Sequence, residues 1–388
     1  MGRLVAIKAA ALFDGVSPDP VHDPVLVLDG PAIVSAGRTA VPPDADVTDL
    51  PGATLLPGLI DTHVHLAFDA GADPVATLAA RDDDAALAAM TSAARVAVRA
   101  GITTVRDLGD RDYLSLRLRD VPGLPTIVAA GPPVTTPAGH CHFLGGAVDP
   151  SPAGLRAAVR ERADRGVDIV KVMASGGTMT PGTRQEIAQF TTGQLRVLAD
   201  EAHRLGLPVT AHAHGTGAIR AALDAGVDGM EHVSFFSADG VDDPGDLLGR
   251  IAASRVAVGI TAGVAPIPGV SPPPAVMMRM PRIIANTRAM YDAGARLIIG
   301  TDAGIGRPKP HDVLRHALAQ TSMIGLDAVT ALRLATSAAA QACGLGHRKG
   351  RLAPGFDADI LAVQGNPLDD LSTLHHTQAV FTRGTRVL

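Results

Sequence analysis

The sequence predicts an α/β protein: a (β/α)8 TIM barrel over residues 53–345, beside a small β-sandwich domain built from residues 1–52 and 346–388. Three observations predict it. Short apolar runs alternate with Ala/Leu/Arg-rich stretches of helical spacing through the central region. Glycines follow those stretches, where a helix end favours a residue tolerant of positive φ. Both ends of the chain carry strand-like runs with turn signals, and each end is too short to bury a core of its own.

At the N-terminus, Val5-Ala6-Ile7, Val25 to Leu28 and Ala32-Ile33-Val34 read as strands, with turns at Asp14-Gly15 and Asp29-Gly30. Met1 to Phe13 is apolar but lacks a charged start, an apolar middle and a cleavage site, so a strand is expected there and not a signal peptide. Barrel strands are expected at Leu55–Asp61, Ile102–Leu108, Thr126–Ala130, Asp168–Met173, Pro208–Ala213, Gly229–Val233, Val256–Thr261 and Arg296–Thr301. Asp84 to Ala100 and Gly193 to Leu205 are typical of the helices between them, and Gly101, Gly166, Gly206, Gly226 and Gly294 fall just after such stretches. A doubly wound open sheet is the alternative, but no Gly-x-Gly-x-x-Gly turn follows the first strand. Residues 326–345 read as one more amphipathic helix. Asp359 to Val363, Ala379 to Phe381 and Arg386 to Leu388 return to strand character and pair, on this reading, with the N-terminal strands.

Composition narrows the partners. The chain has 388 residues, 46% of them hydrophobic, so a sizeable core can form. A net charge of −5, no basic patch and no tryptophan point away from nucleic acid. No apolar run approaches the roughly 18 residues of a membrane span. Cys141 and Cys343 are the only cysteines, so no disulfide framework is implied and a cytoplasmic location is expected. The expected partner is a small-molecule substrate. A homo-oligomer stays open, since no assembly motif appears.

Barrel active sites collect at the C-terminal ends of the strands. Sorting the polar residues by that criterion brings out His63 and His65 after the first strand and Lys171 inside Asp168-Ile169-Val170-Lys171-Val172-Met173. It also brings out His212 and His214 in Ala211-His212-Ala213-His214, His232 in Glu231-His232, and Asp302 in Gly300-Thr301-Asp302. In a strand, residues i and i+2 share a face, so His63 and His65 leave on one side, where one metal ion could take both. Two exposed loop histidines would give the same pattern. Lys171, flanked by Val170 and Val172, is costly to bury charged. It could pair with Asp107 or Asp302, or form a Schiff base, but neither role needs the histidines. N-carboxylation by CO2 is the favoured reading, because it turns the cation into an anion able to bridge two metal ions.

These motifs, with Pro57-Gly58-Leu59-Ile60-Asp61-Thr62-His63-Val64-His65, Gly300-Thr301-Asp302-Ala303-Gly304 and Gly350-Arg351-Leu352-Ala353-Pro354-Gly355-Phe356-Asp357-Ala358-Asp359-Ile360, resemble a metal-dependent hydrolase of the amidohydrolase superfamily. The resemblance spans nearly the whole chain and is greatest to imidazolonepropionase-like and Xaa-Pro dipeptidase-like members. Gly101-Ile102-Thr103-Thr104-Val105-Arg106-Asp107 and Gly139-His140-Cys141-His142-Phe143 point the same way. The resemblance implies two divalent metal ions, with Zn2+ suited to the donors. His63, His65 and Asp302 would bind the buried ion, His212 and His232 the more exposed one, and carboxylated Lys171 both. A metal-bridging hydroxide would attack an amide or peptide-like carbonyl, with Asp302 as general base and then acid.

His140 and His142 follow the third strand and are expected to support catalysis or touch substrate; the competing reading is loop histidines satisfied by backbone. Cys141 stands where glycine is expected. Arg184 and Arg307, on loops at the same end, could clamp a substrate carboxylate, or could be ordinary surface arginines. Met277-Met278-Arg279-Met280 could wall the pocket or pack a helix, and Ser271-Pro272-Pro273-Pro274 suggests a stiff loop near the mouth. The alternative functions are a cyclic amide or imidazolone hydrolase, a deaminase, or a lactone or ester hydrolase. One-metal deaminases and imidazolone hydrolases use no carboxylated lysine at this strand, so Lys171 argues against them.

Overall fold

The computed structural model describes residues 3–269 and 273–388. Ser271 and Pro272 of the expected stiff loop lie outside that range. In chain order the strands are β1 (Val5–Leu12), β2 (Val21–His22), β3 (Val25–Asp29), β4 (Ala32–Gly37), β5 (Asp46–Pro57), β6 (Leu59–Val64), β7 (Ile102–Asp107), β8 (Thr126–Ala129) and β9 (Val170–Met173). They continue with β10 (Val209–Gly215), β11 (Gly229–Ser237), β12 (Gly240–Val241), β13 (Ala257–Thr261), β14 (Arg296–Gly300), β15 (Ile360–Gln364), β16 (Thr377–Thr382) and β17 (Thr385–Arg386).

The fold is mixed α/β. The two ends of the chain share one sheet, in the order β17-β16-β15-β5-β1-β3-β4 with β2 on β1. Strand alternation decides how this sheet packs. Leu56, Leu361, Val363 and Val380 join the large central core, whereas Leu55, Ile360, Ala362 and Phe381 pack with Ile7 and Leu26 in a second cluster.

The central region carries parallel strands in two sheets, β6-β7-β8 and β9-β10-β11-β13-β14. Parallel single bridges link Val64 at the end of β6 to Ala303 after β14, and Val134 after β8 to Val172 in β9. Helices run between the strands and end as the sequence suggests. Asp82 caps the helix Asp83–Arg99, Thr191 and Gln194 form a reciprocal cap on Thr192–Arg204, and Gly166 and Gly226 close two helices at φ of 80° and 79°.

Two expectations are corrected. The run Leu55–Asp61 is not one strand. Leu55, Leu56 and Pro57 end β5, paired with Ala362, Leu361 and Ile360 of the terminal sheet, and β6 starts only at Leu59. The chain crosses at Gly58, where a Cβ would lie 2.1 Å from Thr103 Oγ1, so only glycine fits. Residues 326–345 form two helices, Ala328–Leu334 and Ser337–Ala342. The break falls where the Ala335 carbonyl turns to accept the Ile60 N–H of β6 at 2.8 Å, forfeiting a place in a continuous helix.

Candidate metal centre

Strand direction brings the polar residues to one end. His63 lies in β6, Lys171 in β9, His212 and His214 in β10, and His232 in β11, while Asp302 follows β14 after Thr301. His63, His65, Lys171, His212, His232 and Asp302 line a cavity of about 40 Å3, together with His140, Cys141 and His214.

Asp61 splices the first and last of these strand ends. Its Oδ1 accepts the N–H groups of His63 and Thr301 at 3.2 and 3.1 Å, and its Oδ2 takes the Thr301 hydroxyl at 2.6 Å. The Asp302 N–H bonds the His63 carbonyl at 2.7 Å. Asp302 and His232 both hold left-handed backbone, at φ of 62° and 73°. Non-glycine residues rarely adopt it, and such strain gathers where a side chain must be aimed.

Two donor clusters result. The ligating atoms of His63, His65 and Asp302 lie within 4.8 Å of one another, as do those of His212, His214 and His232. Outer partners fix the first cluster. A carboxylate and a carbonyl can only accept, so His63 donates Nδ1–H to Glu231 Oε2 at 3.1 Å and His65 donates Nδ1–H to Gly109 O at 3.2 Å. The two Nε2 atoms are left facing the site and converge on Asp302 Oδ1, at 3.4 and 3.2 Å, where a proton or a cation must lie between nitrogen and carboxylate. In the second cluster His212 gives Nε2–H to the Gly176 carbonyl at 3.1 Å and turns Nδ1 to His232 Nε2, 2.9 Å away. His232 Nδ1 meets Thr261 Oγ1 at 2.8 Å, and His214 Nδ1 meets Ser234 Oγ at 2.9 Å.

Burial tunes the charges. It lowers His63 to about 4, helped by the Lys171 charge, and lowers His140 to about 4 and His214 to about 3. His212 and His232 are held well below the usual imidazole range by burial and by neighbouring imidazoles. Burial works against ionised Asp302, but His63 and His65 outweigh it and hold the carboxyl well below its usual range. His65 moves the other way, because its Asp302 partner overrides burial. Burial brings Lys171 down to about 8 against the pull of Glu231 and Asp302. The Lys171 Nζ is buried and has no hydrogen-bond partner among the described residues. Imidazoles held neutral everywhere but at His65, an anionic carboxylate beside His65 and an orphaned amine fit a divalent metal site.

Of the remaining expectations, His140 is buried at the cavity, its ring centroid 4.8 Å from that of His212. His142 is corrected: it is exposed, bonds the Gly139 carbonyl of its own loop at 3.0 Å, and does not line the cavity. The turn that seats His140 points its second neighbour outward. Arg184 and Arg307 are corrected as well. Arg184 is exposed and paired with Glu186 at 2.7 Å, and Arg307 is exposed; neither lines the cavity. His214 shares the i, i+2 relation with His212; the sequence favours His212 as the ligand, and the structure groups both with His232. Sequence reasoning missed the floor. Arg106, a Val105 neighbour inside a core strand, donates to Glu231 Oε1 at 2.8 Å and to the Thr62 carbonyl at 2.6 Å. A buried charge inside an apolar strand was the available signal.

Residues 54–387 match the amidohydrolase family, and the chain belongs to it. It is an enzyme of that family, a hydrolase of carbon–nitrogen bonds, and the family generally uses divalent metal ions. The chain is 28% identical to ochratoxinase from Aspergillus niger, over 97% of this chain and 85% of that one. It is 24% identical to imidazolonepropionase from Paracoccus denitrificans, over 86% of this chain and 88% of that one. A crystal structure of a Xaa-Pro dipeptidase with methionine bound in its active site superposes with a TM-score of 0.84 at 26% identity, covering 99% of each chain. Among the described residues no helix is long and apolar enough to cross a membrane.

Proposed function

We propose that the chain is a two-metal hydrolase that cleaves the amide bond of a small N-acyl amino acid, dipeptide-like or cyclic amide substrate. One observation carries the reading: Lys171 Nζ is buried without a partner at a cavity shared by two donor clusters. A buried, unpaired ammonium is costly. Attack of the neutral amine on CO2, with loss of one proton, replaces it with a carbamate whose oxygens are metal ligands. His63, His65 and Asp302 would hold one ion and His212 and His232 the other, with His214 beside them and the Lys171 carbamate shared. Zinc suits these nitrogen and oxygen donors. When bound, the ions supply Lewis acidity that polarises a carbonyl and lowers the pKa of water.

Asp302 does the proton work. Water oxygen bonds to the amide carbon while Asp302 takes the proton it gives up. Asp302 returns that proton to the amide nitrogen as the C–N bond breaks, so the nitrogen leaves as an amine and the carbon as a carboxylic acid. His140 offers a polar contact to the substrate from the third strand's loop. The likeness to a structure described as a Xaa-Pro dipeptidase supports a dipeptide-like substrate.

The bridges that join the edges of the two parallel sheets support a closed (β/α)8 barrel. The shared terminal sheet, with a cluster on its outer face, supports one small β-domain built from both ends of the chain. A cytoplasmic enzyme with a small-molecule substrate and no nucleic acid or membrane partner completes the proposal.

The test is a product-resolved screen. Protein loaded with Zn2+ in bicarbonate buffer is offered dipeptides, N-acyl amino acids, cyclic amides, lactones and aminated heterocycles, and mass spectrometry reads the products. Release of an amino acid from an acyl or peptidyl substrate is expected. Turnover confined to ammonia release from heterocycles would overturn the proposal.

A further inference from the structure

His140 is held at three points. Its N–H donates to Gln189 Oε1 at 2.7 Å, and Gln189 Nε2 in turn donates to the Met173 carbonyl at the end of β9, at 2.7 Å. Its ring face lies on Gly177, where an added Cβ would come within 2.2 Å of Nε2 and 2.4 and 2.7 Å of the carbons on either side. Its Nδ1 lies 3.2 Å from Thr180 Oγ1. The Nε2 edge makes no hydrogen bond among the described residues.

The Thr180 hydroxyl decides which ring nitrogen carries the proton. It has one hydrogen to give and two lone pairs. One lone pair takes the Cys141 N–H at 2.8 Å. Among the described residues the hydroxyl proton meets no acceptor except His140 Nδ1. Thr180 is 2% exposed, so solvent does not take that proton. If Nδ1 bore the hydrogen, the ring would donate to Thr180 and the hydroxyl proton would be buried unpaired, which is the costlier arrangement. The loop keeps the hydroxyl in place: the Thr180 carbonyl accepts from Thr183 N and Thr183 Oγ1 at 3.2 and 2.9 Å, and Gly176 N–H bonds the Ile187 carbonyl at 3.0 Å.

We propose that Thr180 is a positioning residue that fixes His140 as the Nε2–H tautomer, so that the ring presents an N–H donor to the substrate's carbonyl oxygen as negative charge grows on it. Burial keeps the ring neutral, in line with a donor and not a shuttle of protons. A donor aimed in advance at developing charge stabilises the transition state more than the ground state. This rests on the amide-hydrolase reading for its catalytic meaning, but the tautomer is a property of the resting protein.

The test labels the full-length protein with 15N-histidine and records two-bond imidazole correlations with and without Zn2+, assigning His140 by its loss in His140→Asn. A protonated Nε2 and a bare Nδ1 are expected at His140. Thr180→Val should shift the ring toward the Nδ1–H form and lower kcat on a cleaved acyl amino acid about tenfold to hundredfold, with KM little changed. Thr180→Ser should restore both the tautomer and kcat. A protonated Nδ1 in the wild-type spectrum would overturn the proposal even if no variant folds. So would a Thr180→Val protein with the tautomer and kcat of the wild type. If no amide substrate is found, the spectrum still reads the tautomer, so the two proposals fail separately.

Discussion

Glu231 Oε2 lies 3.1 Å from His63 Nδ1, and both side chains are buried beneath the cavity. Burial would raise this carboxyl, but Arg106 and His63 outweigh it and keep Glu231 ionised. The carboxylate therefore accepts, His63 donates, and His63 Nε2 faces the site with its lone pair. Thr210 Oγ1 adds a third bond to Glu231 at 2.7 Å.

Glu231→Gln should damage both the fold and the site. It leaves the Arg106 guanidinium buried without its anion, a loss of about 3–5 kcal/mol for a broken buried pair. It also loosens His63, for which about tenfold to hundredfold weaker metal binding is expected. Gly259→Ala should imitate it, since its Cβ would come within 2.2 Å of Glu231 Oε2. Denaturant melts and metal content after dialysis check both; wild-type values in Glu231→Gln would count against the linkage.

Lys171→Ala should abolish turnover and reduce metal retention, because no side chain then offers oxygens to both donor clusters. Added short-chain carboxylic acid should recover part of the activity by entering the vacated space. Full activity in Lys171→Ala without such an acid would sink the carbamate idea.

Acid should destabilise the metal-stripped protein. His63 and His140 fall from 6.5 to about 4 and His214 to about 3, so between those values the unfolded chain binds more protons than the folded one. Their contribution is fully present above about pH 6.5 and is lost as pH falls through about 4. Each such histidine costs about 1.4 kcal/mol per pH unit inside that window. His65 and the buried carboxyls Asp61, Asp107 and Asp110, the carboxyls raised to about 7, 6 and 7, oppose the trend, and His212 and His232, held well below the usual imidazole range, add to it. The five lowered histidines outnumber these four groups, so thermal melts should fall between neutral pH and about pH 4; melts that rise over that range would contradict buried neutral imidazoles.

The sequence made much of this legible because strand periodicity is local. His63 and His65 share a face by the i, i+2 rule, and Lys171 between two valines announced a buried charge. What depended on tertiary contact was hidden. Leu55 to Asp61 is one apolar run, and only the approach of Thr103 to Gly58 divides it between two sheets. Ala335 breaks its helix for a bond to Ile60, a residue far away in sequence. His142 shares a loop with His140, yet the turn sends one inward and the other to solvent. The sequence left Arg184 open between a substrate clamp and an ordinary surface arginine, because nothing local shows that Glu186 takes its guanidinium. Thr180 gave no signal, because its partners are set by a loop and not by a period.

The most direct test of the two-metal account is metal stoichiometry measured together with intact mass. Wild-type protein reconstituted in Zn2+ and bicarbonate should hold two ions per chain and carry the added mass of one CO2 at Lys171, and Lys171→Ala should lose both that mass and the full metal complement. A fully active wild-type protein with a single ion per chain and an unmodified Lys171 would contradict it.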